Sequence, residues 1–234
     1  MRDGKDKLTQ ILPPAAGLLL VVMFTSLGFW QLERADEKRR LEALFARQGE
    51  QQPLDPARDY ALYQPLSVHG RFLADRQFLL ENTILDGRVG YYVVTPLEYA
   101  ADAPLLLVNR GWAPADGDPR TVLSVADEPQ RIGGRVGQLP RVGIRAGEAF
   151  PHGAGWPRRA NWPAAEEIAG AIGREVLPFV LLADPDPASP LIRRWQPRVA
   201  GPVRHLGYAV QWFGLALTVV VVAAVLYRRK WRSR

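Results

Sequence analysis

The sequence predicts a membrane protein in which two transmembrane α-helices flank a mainly-β extracytoplasmic domain, an antiparallel barrel or sandwich. Three observations predict it. Two charge-free stretches, Leu8–Leu32 and Leu206–Tyr227, stand near opposite ends of the 234-residue chain. Both are flanked by charged tails. The segment between them breaks into short β-branched and aromatic runs separated by turn formers.

The first span is placed at residues 11–32, after a short tail (1–10) that holds Arg2, Asp3, Lys5, Asp6 and Lys7. Pro13 and Pro14 fall in its first turns, where a missing amide donor costs little, and Trp30 suits an interfacial aromatic at the other end. Gly28-Phe29-Trp30-Gln31-Leu32 offers no small-x-small cleavage signal, so the span reads as a retained anchor. The second span is placed at 206–227. Its 22 residues rise about 33 Å at roughly 1.5 Å each, enough for a hydrocarbon core about 30 Å thick.

The tails set an orientation. The first carries a net charge of +1, and the last, with Arg228, Arg229, Lys230, Arg232 and Arg234, carries +5. Residues 33–205 balance 22 basic against 22 acidic side chains, so the whole excess of +6 lies in the tails. Both termini are therefore expected in the cytoplasm of a cell (inner) membrane, with 33–205 on the far side. The basic pI describes orientation and argues against nucleic acid as a partner. Arg193, Arg194, Arg198 and Arg204 gather outside the second span, where basic residues are usually fewer, but the rule counts short loops.

Between the spans, Glu33 to Arg47 is expected to continue the first helix into water, with Leu41, Leu44 and Phe45 as a narrow apolar face. Gln48 to Pro56 reads as a linker. Strands are expected at Leu66–Leu73, Gln77–Thr83, Tyr91–Leu97, Leu105–Trp112, Arg131–Val136 and Val176–Ala183. Asp86-Gly87 is a hairpin signal, and Gly70, Gly90 and Gly111 mark bulges or close backbone approaches. Pro163 to Ile172 is the one helical candidate, with Glu166 and Glu167 in its first turn and Gly173 as its stop. Asp184 to Pro190 reads as an extended connector.

Catalytic chemistry finds little support, and the chain is not expected to be an enzyme. There is no cysteine, no GxSxG elbow, no GxGxxG and no P-loop. Ser67 and His69 share one strand candidate without a third partner in sight, and the pairs Asp116/Asp118 and Asp184/Asp186 sit among turn formers as solvated residues. With two methionines and no cysteine the soft sulfur ligands of a copper carrier are missing, and three scattered histidines give no metal spacing.

The second span is more informative. His205, Tyr208, Ala209 and Trp212 follow an i, i+3, i+4, i+7 stripe, with Gln211 beside it. A glutamine at that depth calls for a hydrogen-bond partner on the first span or on a client protein. His205 at the outer boundary has two readings. One is an interfacial histidine among aromatic-belt residues. The other is an axial ligand to haem iron, with Tyr208 and Trp212 flanking the macrocycle and Arg204 or Arg198 meeting its propionates. Asn109-Arg110-Gly111-Trp112 likewise reads either as a partner-binding hot spot or as an arginine stacked on a structural tryptophan beside a bulge.

The chain resembles the surfeit locus protein 1 family, assembly factors of haem-copper cytochrome c oxidase. The residues that carry the resemblance run in order: Gly28-Phe29-Trp30-Gln31-Leu32-Glu33-Arg34 with Lys38; His69-Gly70-Arg71-Phe72; Gly90-Tyr91-Tyr92-Val93-Val94-Thr95-Pro96-Leu97; Val108-Asn109-Arg110-Gly111-Trp112-Ala113-Pro114; and His205-Leu206-Gly207-Tyr208-Ala209-Val210-Gln211-Trp212-Phe213. The resemblance implies help in bringing haem a into the catalytic subunit of the oxidase, with His205 as the iron ligand and the haem a synthesis machinery as a further partner. A departure is Ala200-Gly201-Pro202-Val203-Arg204, where the family often has an Asn-rich stretch. The other reading is a membrane scaffold that stabilises oxidase subunits without haem, through Trp30, Gln31, Arg34 and Gln211 on the helices and Asn109, Arg110 and Trp112 on the domain.

Overall fold

The structure is a computed structural model that describes residues 2–46, 49–117, 123–139, 147–195 and 202–232. Arg198 and Asp118, singled out in the sequence, lie outside the described residues. The chain forms two compact units, one from residues 1–46 and 197–234 and one from 47–196.

The first unit is a pair of long helices, α1 (Arg2–Ala46) and α3 (Pro202–Arg232). Both are long and apolar enough to cross a membrane, with mean hydropathy 1.8 and 2.3, and their apolar side chains are largely exposed. A core helix of a soluble domain would bury such a surface. The helix α1 runs unbroken through Glu33 to Ala46, because the i,i+3 and i,i+4 ion pairs Arg34–Glu37 and Arg40–Asp36 support its charged end.

The second unit is built on an eight-stranded sheet. Its strands are β1 (Gln52–Pro53), β2 (Pro65–Phe72), β3 (Phe78–Leu85), β4 (Arg88–Glu98), β5 (Leu105–Pro114), β6 (Gln130–Gly137), β7 (Arg158–Ala160) and β8 (Val176–Ala183), with a helix α2 (Ala165–Ile172) before β8. The sheet order is β1-β2-β6-β8-β5-β4-β3-β7, and β2 also pairs with β4, so β2-β6-β8-β5-β4 closes into a five-stranded barrel. Antiparallel pairing holds around the ring except at β5/β8, which is parallel. The exception has a simple cause: five strands cannot alternate in direction around a closed ring, so at least one neighbouring pair must run parallel.

Two short strands were not legible. The segment read as a linker contains β1, parallel to β2, and β7 lies parallel to β3 at the sheet's far edge. With two and three residues they carry no alternation to read.

Alternation explains the core. Leu106 and Val108 of β5 face the barrel cluster with Leu66, Phe72, Leu97 and Leu181, while Leu107 faces a second cluster with Phe78, Val94, Val180 and Ile168 of α2. Buried on both faces, β5 reads in sequence as a continuous apolar run. Glu167 accepts the Ala164 amide at 2.8 Å at the start of α2, and Gly173, left-handed at φ 77°, closes it by donating to Ala169. Asp86 and Gly87, at φ 50° and 77°, form the two-residue hairpin between β3 and β4.

Candidate functional site

The helix pair packs on a seven-residue rhythm. Gly17 meets Val219 and Phe24 stacks on Trp212, with centroids 5.6 Å apart; Gln31 bonds His205. The positions 17, 24 and 31 therefore oppose 219, 212 and 205, an antiparallel heptad seam. Gly28 and Ala35 on α1 and Ala209 and Ala216 on α3 are buried along it. Small residues let two helices approach closely in lipid, where no hydrophobic force drives them together. At Gly28 the approach is tight enough that a Cβ would stand 2.6 Å from the Phe213 ring.

One polar contact crosses the seam. The Nδ1 of His205 lies 2.8 Å from Oε1 of Gln31, and Gln31 is 8% exposed. An amide oxygen only accepts, so Nδ1 carries the proton and the lone pair of the neutral imidazole resides on Nε2. Among the described residues Nε2 has no hydrogen-bond partner. The ring is thus held in one tautomer and one orientation, with a free donor atom at its far corner.

Other residues singled out in the sequence fall differently. Arg204 and Tyr208 are exposed beside His205, and Trp30 is exposed on α1. Arg34 is exposed and paired with Glu37. Trp212 stacks on Phe24 in the seam. Gln211, for which the first span or a client protein was expected as partner, is exposed, and the glutamine that reaches across is Gln31. The signal was the seven-residue spacing shared by Phe24, Gln31, His205 and Trp212. Among the described residues no three His, Cys, Asp or Glu side chains come together as a metal cluster, so a metal held here would depend on His205 and a ligand from outside the chain. A haem fits that donor set, since one histidine can serve as its protein ligand.

The β5 cluster is buried. Trp112 is 1% exposed, and its indole N–H donates to Thr83 Oγ1 at 2.9 Å; Asn109 is 4% exposed and accepts the Gly111 amide. Trp112 and Asn109 are therefore core residues, and the hot-spot reading is corrected for them. The ring fits because a Cβ at Gly90 would collide with it. Arg110 is the extra residue of a bulge, since Val93 pairs with Gly111 and Val94 with Asn109.

Arg110 sits in a polar network. It donates to Gln77 Oε1 (3.0 Å) and Ser124 O (2.5 Å) and lies over the Phe72 ring at 5.8 Å. Gln77 also accepts from Thr95 and donates to the carbonyls of Ala74 and Leu123. Burial, and secondarily the neighbouring Arg193, lowers the Arg110 pKa to about 10. The residues of this network are scattered over positions 72–124, and only Arg110 was marked in the sequence as a candidate site residue.

Comparison with known proteins bears on both units. The sequence model of the SURF1 family matches residues 18–217. The chain is 28% identical over 231 residues to a SURF1-like protein of Rickettsia bellii, covering 93% of this chain and 91% of that one. It is 30% identical over 244 residues to Surfeit locus protein 1 of Xenopus tropicalis, covering 91% and 75%. A SURF1-like protein of Drosophila melanogaster is 27% identical over 240 residues, covering 91% and 77%.

Proposed function

From the premise that this chain belongs to the SURF1 family, we propose that it is an assembly factor for haem-copper cytochrome c oxidase, assisting haem a on its way into the catalytic subunit. It acts by binding and positioning, not as an enzyme. The observation that carries the reading is the Gln31–His205 contact. It leaves the Nε2 lone pair of a fixed imidazole free, which is what an axial ligand needs. Haem a, when bound, supplies an iron centre with an axial position for that lone pair. Gln31 orients the ring, exposed Arg204 offers a cation for a propionate, and exposed Tyr208 offers an aromatic surface beside the ligand.

The helices span a cell inner membrane in this reading, with both termini cytoplasmic and the barrel unit periplasmic. The support is the +5 charge of residues 228–234, after the second span, against a charge-balanced middle. The oxidase catalytic subunit is the partner, with the haem a synthesis machinery upstream.

The test is the optical spectrum and extracted-haem identity of the detergent-purified protein, co-expressed with haem a synthesis, beside His205→Ala. Near-stoichiometric haem a that disappears in the variant is the expected outcome. Haem absent from both proteins would sink the haem reading. A second reading, a scaffold that holds oxidase subunits without haem, is favoured by Gln211. Its amide is exposed on a span and has no partner among the described residues, so a client helix that bonds it would gain in lipid.

A further inference from the structure

A cavity of about 360 Å³ opens in the second unit beside Arg110; Arg131, Arg193, Asp184, Asp186 and Phe72 also line it. Its charges do not cancel. Three arginines face two aspartates, and the most buried of them, Arg110, is 8% exposed yet pairs with no carboxylate among the described residues. Its two acceptors among the described residues are a side-chain amide oxygen and a main-chain carbonyl, both neutral.

The aspartates are committed elsewhere. Asp184 accepts from Gln51 at 2.5 Å, and Asp186 lies 3.9 Å from Arg193. Arg193 in turn is fixed by the carbonyls of Arg110 (2.7 Å) and Asp184 (2.6 Å) and by Ser189 (3.2 Å). Arg110 is thus held on neutral acceptors alone, with Arg193 and its Asp186 counter-ion beside it, at the wall of a space large enough for a small molecule. A buried charge without a counter-ion is costly, and a guanidinium fork matches a carboxylate in geometry.

We infer that this cavity is a binding site for a small monocarboxylate, the anionic group between Arg110 and Arg193 and an apolar body against Phe72. The single excess positive charge selects a monoanion over a dianion. Ile132 and Ala126 on the same wall give the apolar body its remaining surface.

The experiment is calorimetric titration of the full-length protein in neutral detergent with benzoate, with benzamide as the uncharged counterpart and inorganic phosphate as the dianion. Benzoate is expected to bind at one site, at least tenfold more tightly than either. Arg193→Gln should weaken it at least tenfold. Ala126→Glu, which places a carboxylate in the cavity, should abolish benzoate binding and raise the melting temperature; this variant keeps the test open if Arg193→Gln fails to fold. Equal binding of benzoate and benzamide, preference for phosphate, or benzoate binding unchanged in Ala126→Glu would each overturn the site.

Discussion

Oε1 of Gln31 accepts from Nδ1 of His205 at 2.8 Å, across the seam between the two long helices. A polar contact of this kind contributes only about 0.6 kcal/mol to helix association in a membrane. Its larger effect is on the imidazole, because the partner of a ligating histidine fixes tautomer and orientation, and losing it weakens metal affinity by roughly 10–100-fold.

Gln31→Leu is therefore expected to lower the haem retained after purification by about tenfold or more, while the helix pair still forms. Gln31→Glu keeps an acceptor at the same place and should retain most of the haem. Wild-type haem content in Gln31→Leu, read from the optical spectrum, would show that the contact does not prepare a ligand.

The seam itself predicts the effect of bulk at Gly28. With a Cβ 2.6 Å from the rigid Phe213 ring, Gly28→Val must push the helices apart. Because the chain has no cysteine, a pair introduced at Gly17 and Val219 reports the approach cleanly. Its oxidative cross-linking should be efficient in the parent and fall several-fold in Gly28→Val; equal yields would mean that the seam tolerates the side chain.

Sequence reading reached the fold where the physics is local. The apolar run Leu105 to Val108 names a strand buried on both faces, and Asp86-Gly87 names a hairpin because both residues take positive φ. It failed where the partner lies far along the chain. Nothing near Trp112 shows that Thr83 will accept its indole proton or that Gly90 makes room for its ring. A tryptophan after an arginine and a glycine was therefore left with two readings, a partner-binding hot spot and a structural tryptophan beside a bulge. The candidate site was half legible: His205 and Gln31 were each marked, but their pairing follows from a seven-residue register that only two helices together express.

Thr83 tests the buried tryptophan. It accepts from Trp112 at 2.9 Å and donates to Gly90 O at 2.8 Å, with no exposure of its own. Thr83→Val leaves the buried indole N–H unpaired, which should cost about 1–3 kcal/mol. Urea unfolding of the full-length protein, followed by tryptophan fluorescence, measures it. A cost near zero would mean that the indole finds another acceptor, and haem content should not change in either case.

Alkaline pH sets buried tyrosines against Arg110. Burial raises the pKa values of Tyr63, Tyr91 and Tyr99 above 10.0. Their contribution to stability is complete below the unfolded value and is lost as pH rises through the folded values. Arg110 runs the other way. Its folded value of about 10 lies below the ordinary arginine value, so its charge is a constant burden below about pH 10 and is relieved above it. Unfolding free energy should fall above pH 10, and more steeply in Arg110→Met, which lacks the opposing gain. Among the described residues the Tyr99 hydroxyl is buried without a partner, so Tyr99→Phe should raise stability by about 1 kcal/mol and flatten the decline. A steeper decline in Tyr99→Phe would contradict the sign.

Gln211 separates the two functional readings. It lies two turns from His205 on α3 but is exposed, whereas His205 is half-buried against Gln31. Replacing the amide by leucine removes a polar group from lipid, so Gln211→Leu should insert and fold at least as well as the parent. If haem handling is the whole function, the variant keeps both its haem and its oxidase. If a client helix bonds Gln211, oxidase assembly falls in Gln211→Leu while the haem bound to the purified protein stays the same. Loss of both would tie the amide to the haem site itself. Oxidase content in membranes, measured beside purified haem content, distinguishes the three, because His205→Ala fixes the result expected when haem binding alone is removed.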